Sequence, residues 1–212
     1  MNKSSLELLS PTNCAFALID HQPQMFFGVQ SGDRQSILDN AVALAKTAKI
    51  FKVPTILTTV AAKEFSGPLM PQIQAVFSDQ VPINRSTMNS WEDNNFVAAI
   101  EKTNRKKIVM AALWTEVCLA FPAISAVKAG YDVYAVIDAS GASSKEAHKM
   151  AIQRMIHAGI IPVTWLQVMC ELQRDWARKE TYNDVMKLIK EHAGAYGAGV
   201  FYVESMMGGH GG

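Results

Sequence analysis

Lys107-Ile108-Val109-Met110-Ala111-Ala112-Leu113-Trp114-Thr115-Glu116-Val117-Cys118 is the stretch that decides the fold. After Lys107 its first half is continuously apolar, the pattern of a strand buried on both faces rather than wetted at alternate residues. Thr115 reads as a helix N-cap and Glu116 to Ala129 as the helix it opens. Gly130 follows, where a left-handed cap suits a residue without a Cβ. Pro122 has no N–H to offer the carbonyl of Cys118, so a kink is expected there. A doubly buried strand feeding a helix is half of a βαβ unit, which joins parallel strands through a right-handed crossover.

The same alternation extends in both directions. Ala15-Phe16-Ala17-Leu18-Ile19 is a second buried strand, followed by helical spacing from Ser36 to Phe51. Pro54 to Thr59 reads as a strand whose first residue is the proline, the position where a missing donor is tolerated. A short strand is expected near Val81-Pro82-Ile83, then a helix from Asp93 to Thr103. Beyond Gly130 the pattern gives a strand from Tyr131 to Ile137, a helix from Lys145 to Ala158 closed by Gly159, and a last strand from Ile160 to Leu166. Helical segments around Cys170 to Arg178 and Tyr182 to His192 finish it. Six strands alternating with helices imply a three-layer α/β/α domain on a six-stranded parallel sheet. Residues 1–200 make one domain, and 201–212, ending in Gly208-Gly209-His210-Gly211-Gly212, read as a tail that is flexible or held at a subunit interface.

Composition excludes several classes. The chain has 212 residues, 49% of them hydrophobic, with 20 Lys+Arg against 19 Asp+Glu. That length suits one domain, and so much apolar surface offsets the entropy of ordering it. No basic run is long enough to track a nucleic-acid backbone; Arg105-Lys106-Lys107 is the longest, at a helix-to-strand junction. The longest apolar runs fall far short of the roughly 18 residues that span a bilayer. Met1 to Asn13 carries one lysine and no apolar stretch of signal-peptide length. Cys14, Cys118 and Cys170 are odd in number and widely spaced, neither a disulfide framework nor a zinc set, which points to a reducing, cytoplasmic setting. A charged fraction of 18% is below the usual ~25% and fits surface covered by further copies of the chain.

Ligands of such sheets bind beyond the carboxyl ends of the strands, where strand order reverses. Three polar residues fall there: Asp20 ends the first strand, Arg85 follows the third, and Cys118 lies in the first turn of a helix. Unpaired amides and the helix dipole at that turn favour thiolate over thiol. Each residue also has a plainer reading. A lone cysteine is most often an inert small hydrophobe, Asp20 can cap a turn, and an arginine most often makes a surface ion pair. Asp138, after the fifth strand, reads as a turn cap, and Cys14 and Cys170 as packing residues. His21 points to the face opposite Asp20 if the strand continues, and is structural or at an interface. Trp91 and Trp114 read as core residues or, lying beside strand ends, as walls of a small pocket with Phe26 of the Met25–Gly32 loop.

Ala17-Leu18-Ile19-Asp20-His21-Gln22 and Ala112-Leu113-Trp114-Thr115-Glu116-Val117-Cys118 together resemble the isochorismatase-like cysteine hydrolases. Pro54 to Thr59, Phe121-Pro122-Ala123, Asp138-Ala139-Ser140-Gly141 and Cys170 to Trp176 resemble their YcaC-type branch. The similarity runs from Cys14 to Trp176, leaving the last 35 or so residues unmatched. The family works through an Asp–Lys–Cys triad, so the resemblance implies Asp20 as general base and Cys118 as nucleophile, with Arg85 at the lysine position. An arginine there holds Asp20 ionised and oriented but does not shuttle a proton. The resemblance also implies a cis peptide at Leu113–Trp114 and an oxyanion hole from the amides of Trp114 and Cys118. The chemistry would be acyl transfer through a thioester, on a small amide or related C–N bond.

Metal-dependent nicotinamidases of this superfamily carry ligands in the loop after the second strand. Val60 to Pro71 here holds no His and no Asp, and the five histidines have no ligand spacing, so no metal and no other cofactor is expected. The partners implied are a small-molecule substrate and further copies of the chain, in a tetramer or octamer. A non-catalytic oligomeric binder with a redox-sensitive Cys118 is the alternative. A dinucleotide binder is disfavoured, because Asp20-His21-Gln22-Pro23-Gln24-Met25 lacks the glycines that bring backbone against a pyrophosphate.

Overall fold

The computed structural model describes residues 7–206. Six strands form one sheet: β1 (Cys14–Ile19), β2 (Thr55–Val60), β3 (Ile83–Arg85), β4 (Lys107–Ala112), β5 (Asp132–Val136) and β6 (Ile161–Val163). The spatial order is β3-β2-β1-β4-β5-β6, and every neighbouring pair is parallel. The fold is therefore the three-layer α/β/α arrangement read from the sequence. Phe16 and Leu18 of β1 with Val109 and Ala111 of β4 face one apolar layer. Ala17, Ile19, Met110 and Ala112 face the other. Both periods of the pleat are buried, which is why these strands read as unbroken apolar runs.

Helices close both faces. The layer shared with Phe16 includes α1 (Pro23–Phe27), α2 (Arg34–Ile50), α7 (Trp165–Gln173) and α8 (Lys179–His192). The opposite layer holds α4 (Asn94–Lys102), α5 (Ala120–Lys128) and α6 (Lys145–His157), while α3 (Pro71–Gln74) sits in the β2–β3 connection. Several boundaries follow side-chain caps rather than apolar periodicity. Asp33 accepts from the Ser36 amide and starts α2 two residues early; Asp93 accepts from the Phe96 amide and starts α4 at Asn94.

Four expectations are corrected. The last strand stops at Val163, because Thr164 caps α7 by accepting from the Gln167 amide while Asp138 Oδ1 accepts from the Trp165 amide at 2.9 Å. That helix thus covers Trp165–Gln173 rather than Cys170–Arg178. Residues 115–119 form a separate π-helical turn, closed by Leu119 N–H to Trp114 O at 3.2 Å, and α5 begins only at Ala120. Pro122 then falls in the first turn of α5, where no donor is needed, so it marks a helix start instead of a kink. Finally, α9 (Ala195–Met206) is a helix that periodicity did not reveal; it rests on α8 through Gly197, where a Cβ would lie 2.3 Å from the Ile189 carbonyl oxygen. Residues 201–206 of the expected tail belong to this helix. Its final stretch, Gly208 to Gly212, and Met1 to Leu6 lie outside the described residues.

No helix among the described residues is long and apolar enough to cross a membrane.

Candidate active site

β1 and β4 are adjacent although β2 and β3 come between them in sequence, so the strand order reverses between them, the place where sheets of this kind take ligands beyond the carboxyl ends. Ile19 pairs with Ala112 at the top of the two strands. The next residue on each chain therefore stands at the rim: Asp20 on one side, Leu113 on the other. Asp20 has φ 57°, a left-handed conformation that Asp tolerates better than most side chains. It turns the chain out of the sheet at once, so β1 does not continue into His21. Gln22 fixes the turn by bonding both the N–H and the carbonyl of Val60, at 2.9 and 3.1 Å, and the Gly67 carbonyl.

Arg85 is the last residue of β3, two strands from β1. Its length carries the guanidinium across the end of β2 to Asp20, where Nη2 lies 2.7 Å from Oδ2 and neither side chain is exposed. Arg85 Nη1 donates to the Thr87 carbonyl, folding the next loop back over the pair. Asp20 Oδ1 has no hydrogen-bond partner among the described residues. The thiol beside this carboxylate is that of Cys118, 6% exposed, and each governs the other's titration.

Burial raises the Asp20 carboxyl from its ordinary value to about 6, against the pull of Arg85 and of the Cys118 thiol. The Cys118 thiol is pushed far above its ordinary value, first by burial and then by the negative charge of Asp20, with Arg85 and the Trp114 backbone N–H pulling the other way. The expectation of a resting thiolate is therefore overturned. A helix terminus supplies about 0.3–1 kcal/mol, under one pKa unit, and desolvation in this site outweighs it.

The peptide between Leu113 and Trp114 is cis. Trp114 is locked from α1: its Nε1–H donates to the Met25 carbonyl at 2.8 Å, and a Cβ at Gly28 would lie 2.3 Å from its Cζ2. Gly28→Ala should displace the indole and cost about 1–3 kcal/mol, as overpacking does. Urea denaturation of the variant against the native chain measures it.

Other candidates find different places. Thr115 does not cap; its hydroxyl bonds His148 Nδ1 at 2.9 Å. Phe26 is buried on α1, its ring 6.3 Å from that of His21. Trp91 packs edge-on against Phe96 and Tyr131, at 6.1 and 5.3 Å, and Tyr131 precedes β5 at the amino end of the sheet. Its ring thus serves the packing of α4 and α5. His21 is fully buried, bonds the Ala139 carbonyl at 2.9 Å and is held neutral by burial, its pKa lowered to about 4. Cys14 is buried, but Cys170 is exposed on α7, so its packing role is corrected. Among the described residues no group of three or more His, Cys, Asp or Glu is arranged to hold a metal. A cleft of about 460 Å³ between α2, α3 and α8 includes none of Asp20, Arg85 and Cys118.

Residues 14–167 match the family model described as "Isochorismatase domain". The chain belongs to the isochorismatase family. Within it the YcaC branch is indicated by 40% identity over 169 residues to "Probable hydrolase YcaC" of Escherichia coli K12, covering 79% of this chain and 81% of that one. The crystal structure of the E. coli YcaC gene product, described as an octameric hydrolase of unknown specificity, superposes with a TM-score of 0.89 at 36% identity, covering 94% and 97% of the two chains. YcaC from Pseudomonas aeruginosa, solved with hexane-2,5-diol and covalent acrylamide, gives 0.87 at 33% identity, covering 94% and 98%. Membership makes this chain one of a hydrolase family, and its last 45 residues lie beyond the family model.

Proposed function

We propose that the protein is a metal-independent cysteine hydrolase that cleaves a small amide or related C–N bond through a thioester on Cys118. The observation that carries it is the buried Asp20–Arg85 pair at the strand-order reversal, with one carboxylate oxygen unpartnered beside a buried thiol. Arg85 occupies Oδ2 and leaves Oδ1 to accept the Cys118 proton. The sulfur then attacks the carbonyl carbon, and the oxyanion is received by the backbone N–H groups of Trp114 and Cys118. The intermediate collapses, and the amine leaves with the proton held on Asp20. Water enters, gives a proton to Asp20, and its hydroxide attacks the thioester; the released sulfur takes that proton back, and the acid departs.

Arg85 positions the carboxylate and takes no proton in this scheme. Assembly into a tetramer or octamer belongs to the same proposal, supported by the octameric E. coli relative. So does a reducing, cytoplasmic setting, supported by three free cysteines.

A panel of small amides, ureides and N-carbamoyl compounds, run on the native chain and on Cys118→Ala, tests the function. The expected result is turnover by the native chain alone, with a thioester adduct on Cys118 trapped by mass spectrometry. Turnover that survives Cys118→Ala overturns it.

A further inference from the structure

The turn that carries Cys118 is tied to the start of α6 by two side chains that take no part in the steps above. Thr115 is fully buried; its N–H donates to the Gly141 carbonyl at 2.7 Å and its hydroxyl meets His148 Nδ1 at 2.9 Å. The next residue, Glu116, accepts from the Ser143 amide at 3.1 Å and from the Ser143 hydroxyl at 2.5 Å. Ser144 caps α6 by accepting from the Ala147 amide at 3.0 Å, so the helix that brings His148 is itself anchored one residue beyond the Glu116 contact.

A threonine opening a helical turn ordinarily spends its hydroxyl on the free amides of that turn. Here the residues from 115 to 119 are held by bonds to the fifth residue back, a geometry with poorer backbone support that recurs where function demands it. The Thr115 hydroxyl is turned out to His148 instead. We propose that His148 is a positioning residue for the hydrolytic site: by holding Thr115 it keeps the Trp114 and Cys118 backbone in register with Asp20. This rests on the hydrolase reading of the same site. Burial lowers the pKa of His148, against the opposing charge of Glu116, which favours the neutral ring, and its Nδ1 shares one proton with the Thr115 hydroxyl.

Alkylation of Cys118 by iodoacetamide, mapped by peptide mass across pH on the full chain, reads the register of the turn without a known substrate. Thr115→Val and His148→Leu should each slow labelling roughly tenfold and move its midpoint to higher pH, because the Trp114 N–H that favours the thiolate is no longer held. The double variant should be no slower than the slower single, since both remove one contact. Thr115→Ser and His148→Gln, which can keep a hydrogen bond, should recover most of the rate, and circular dichroism shows whether each variant folds. Effects that multiply in the double variant, or labelling unchanged while thermal stability falls, overturn the positioning role. The amide panel on Cys118→Ala is run alongside: if turnover survives that change, the hydrolase reading fails; if turnover is lost and the Thr115 and His148 variants label at the native rate, only the inference about His148 fails.

Discussion

Asp20→Asn should slow Cys118-dependent hydrolysis by about 10²–10⁴-fold, the range supplied by a positioned general base. Asparagine is close in shape to aspartate and can still accept from Arg85 Nη2 through its carbonyl oxygen, so the buried contact at 2.7 Å keeps a partner. What it cannot do is take the thiol proton. That loss weighs heavily because burial, the largest influence on the Cys118 thiol, disfavours its thiolate. The native rate should also rise with pH through about 6, as Asp20 sheds its proton and becomes a base. In Asp20→Asn that acidic limb should disappear, leaving a small residual rate that climbs only as hydroxide deprotonates the thiol directly. Stopped assays from pH 4.5 to 9 on both proteins measure the limb and the size of the loss. A variant within threefold of the native rate at pH 7.5 would remove Asp20 from the chemistry.

The parts of the fold legible in the sequence were those set by burial on both faces. β1 and β4 occupy the middle of the sheet, where both pleat faces are apolar, and no other arrangement reads Ala15–Ile19 or Ile108–Leu113 so simply. The edges were harder. β3 and β6 have three residues each, and a proline in β6 is tolerated because one side of an edge strand needs no donor. Their boundaries are set by contacts distant in sequence: Arg85 ends β3 reaching for Asp20, and Trp165 starts α7 on the carboxylate of Asp138.

The three polar residues of the candidate site were visible because each directly follows a strand or opens a helix, which is where a doubly wound sheet gathers ligands. Their electrostatics were not visible. Position at a helix start argues for a thiolate, but the depth of Cys118 beneath the turn decides the matter the other way, and depth is a property of packing. Thr115 shows the same limit from another side. Local chemistry assigns its hydroxyl to the turn, whereas a histidine 33 residues further on takes it. The surroundings of the Cys118 thiol are thus set by neighbours from three strands, rather than by its own helix.

Those neighbours make the second large effect. Arg85→Met should destabilise the chain by about 3–5 kcal/mol at pH 8, the usual cost of removing one partner from a buried ion pair. Asp20 would be left ionised, without side-chain exposure and with no cation against it. The pH dependence distinguishes this cause from a simple packing defect. Burial is the largest influence on Asp20 and raises its pKa, while Arg85 is the largest that lowers it, so removing Arg85 lets the folded-state value climb beyond about 6. A carboxyl whose pKa is higher folded than unfolded is stabilising while protonated, and that contribution is lost as pH rises through the folded value. The deficit of Arg85→Met relative to the native chain should therefore be smallest near pH 4, where Asp20 is neutral in the folded variant, and should grow as pH rises past 6. Met approximates the arginine stem in volume and leaves little cavity to confuse the comparison. Urea unfolding at pH 4.5, 6 and 8 on both proteins gives the three differences. A deficit independent of pH would mean that Arg85 contributes through packing alone, and the role assigned to it in holding the carboxylate would have to be given up.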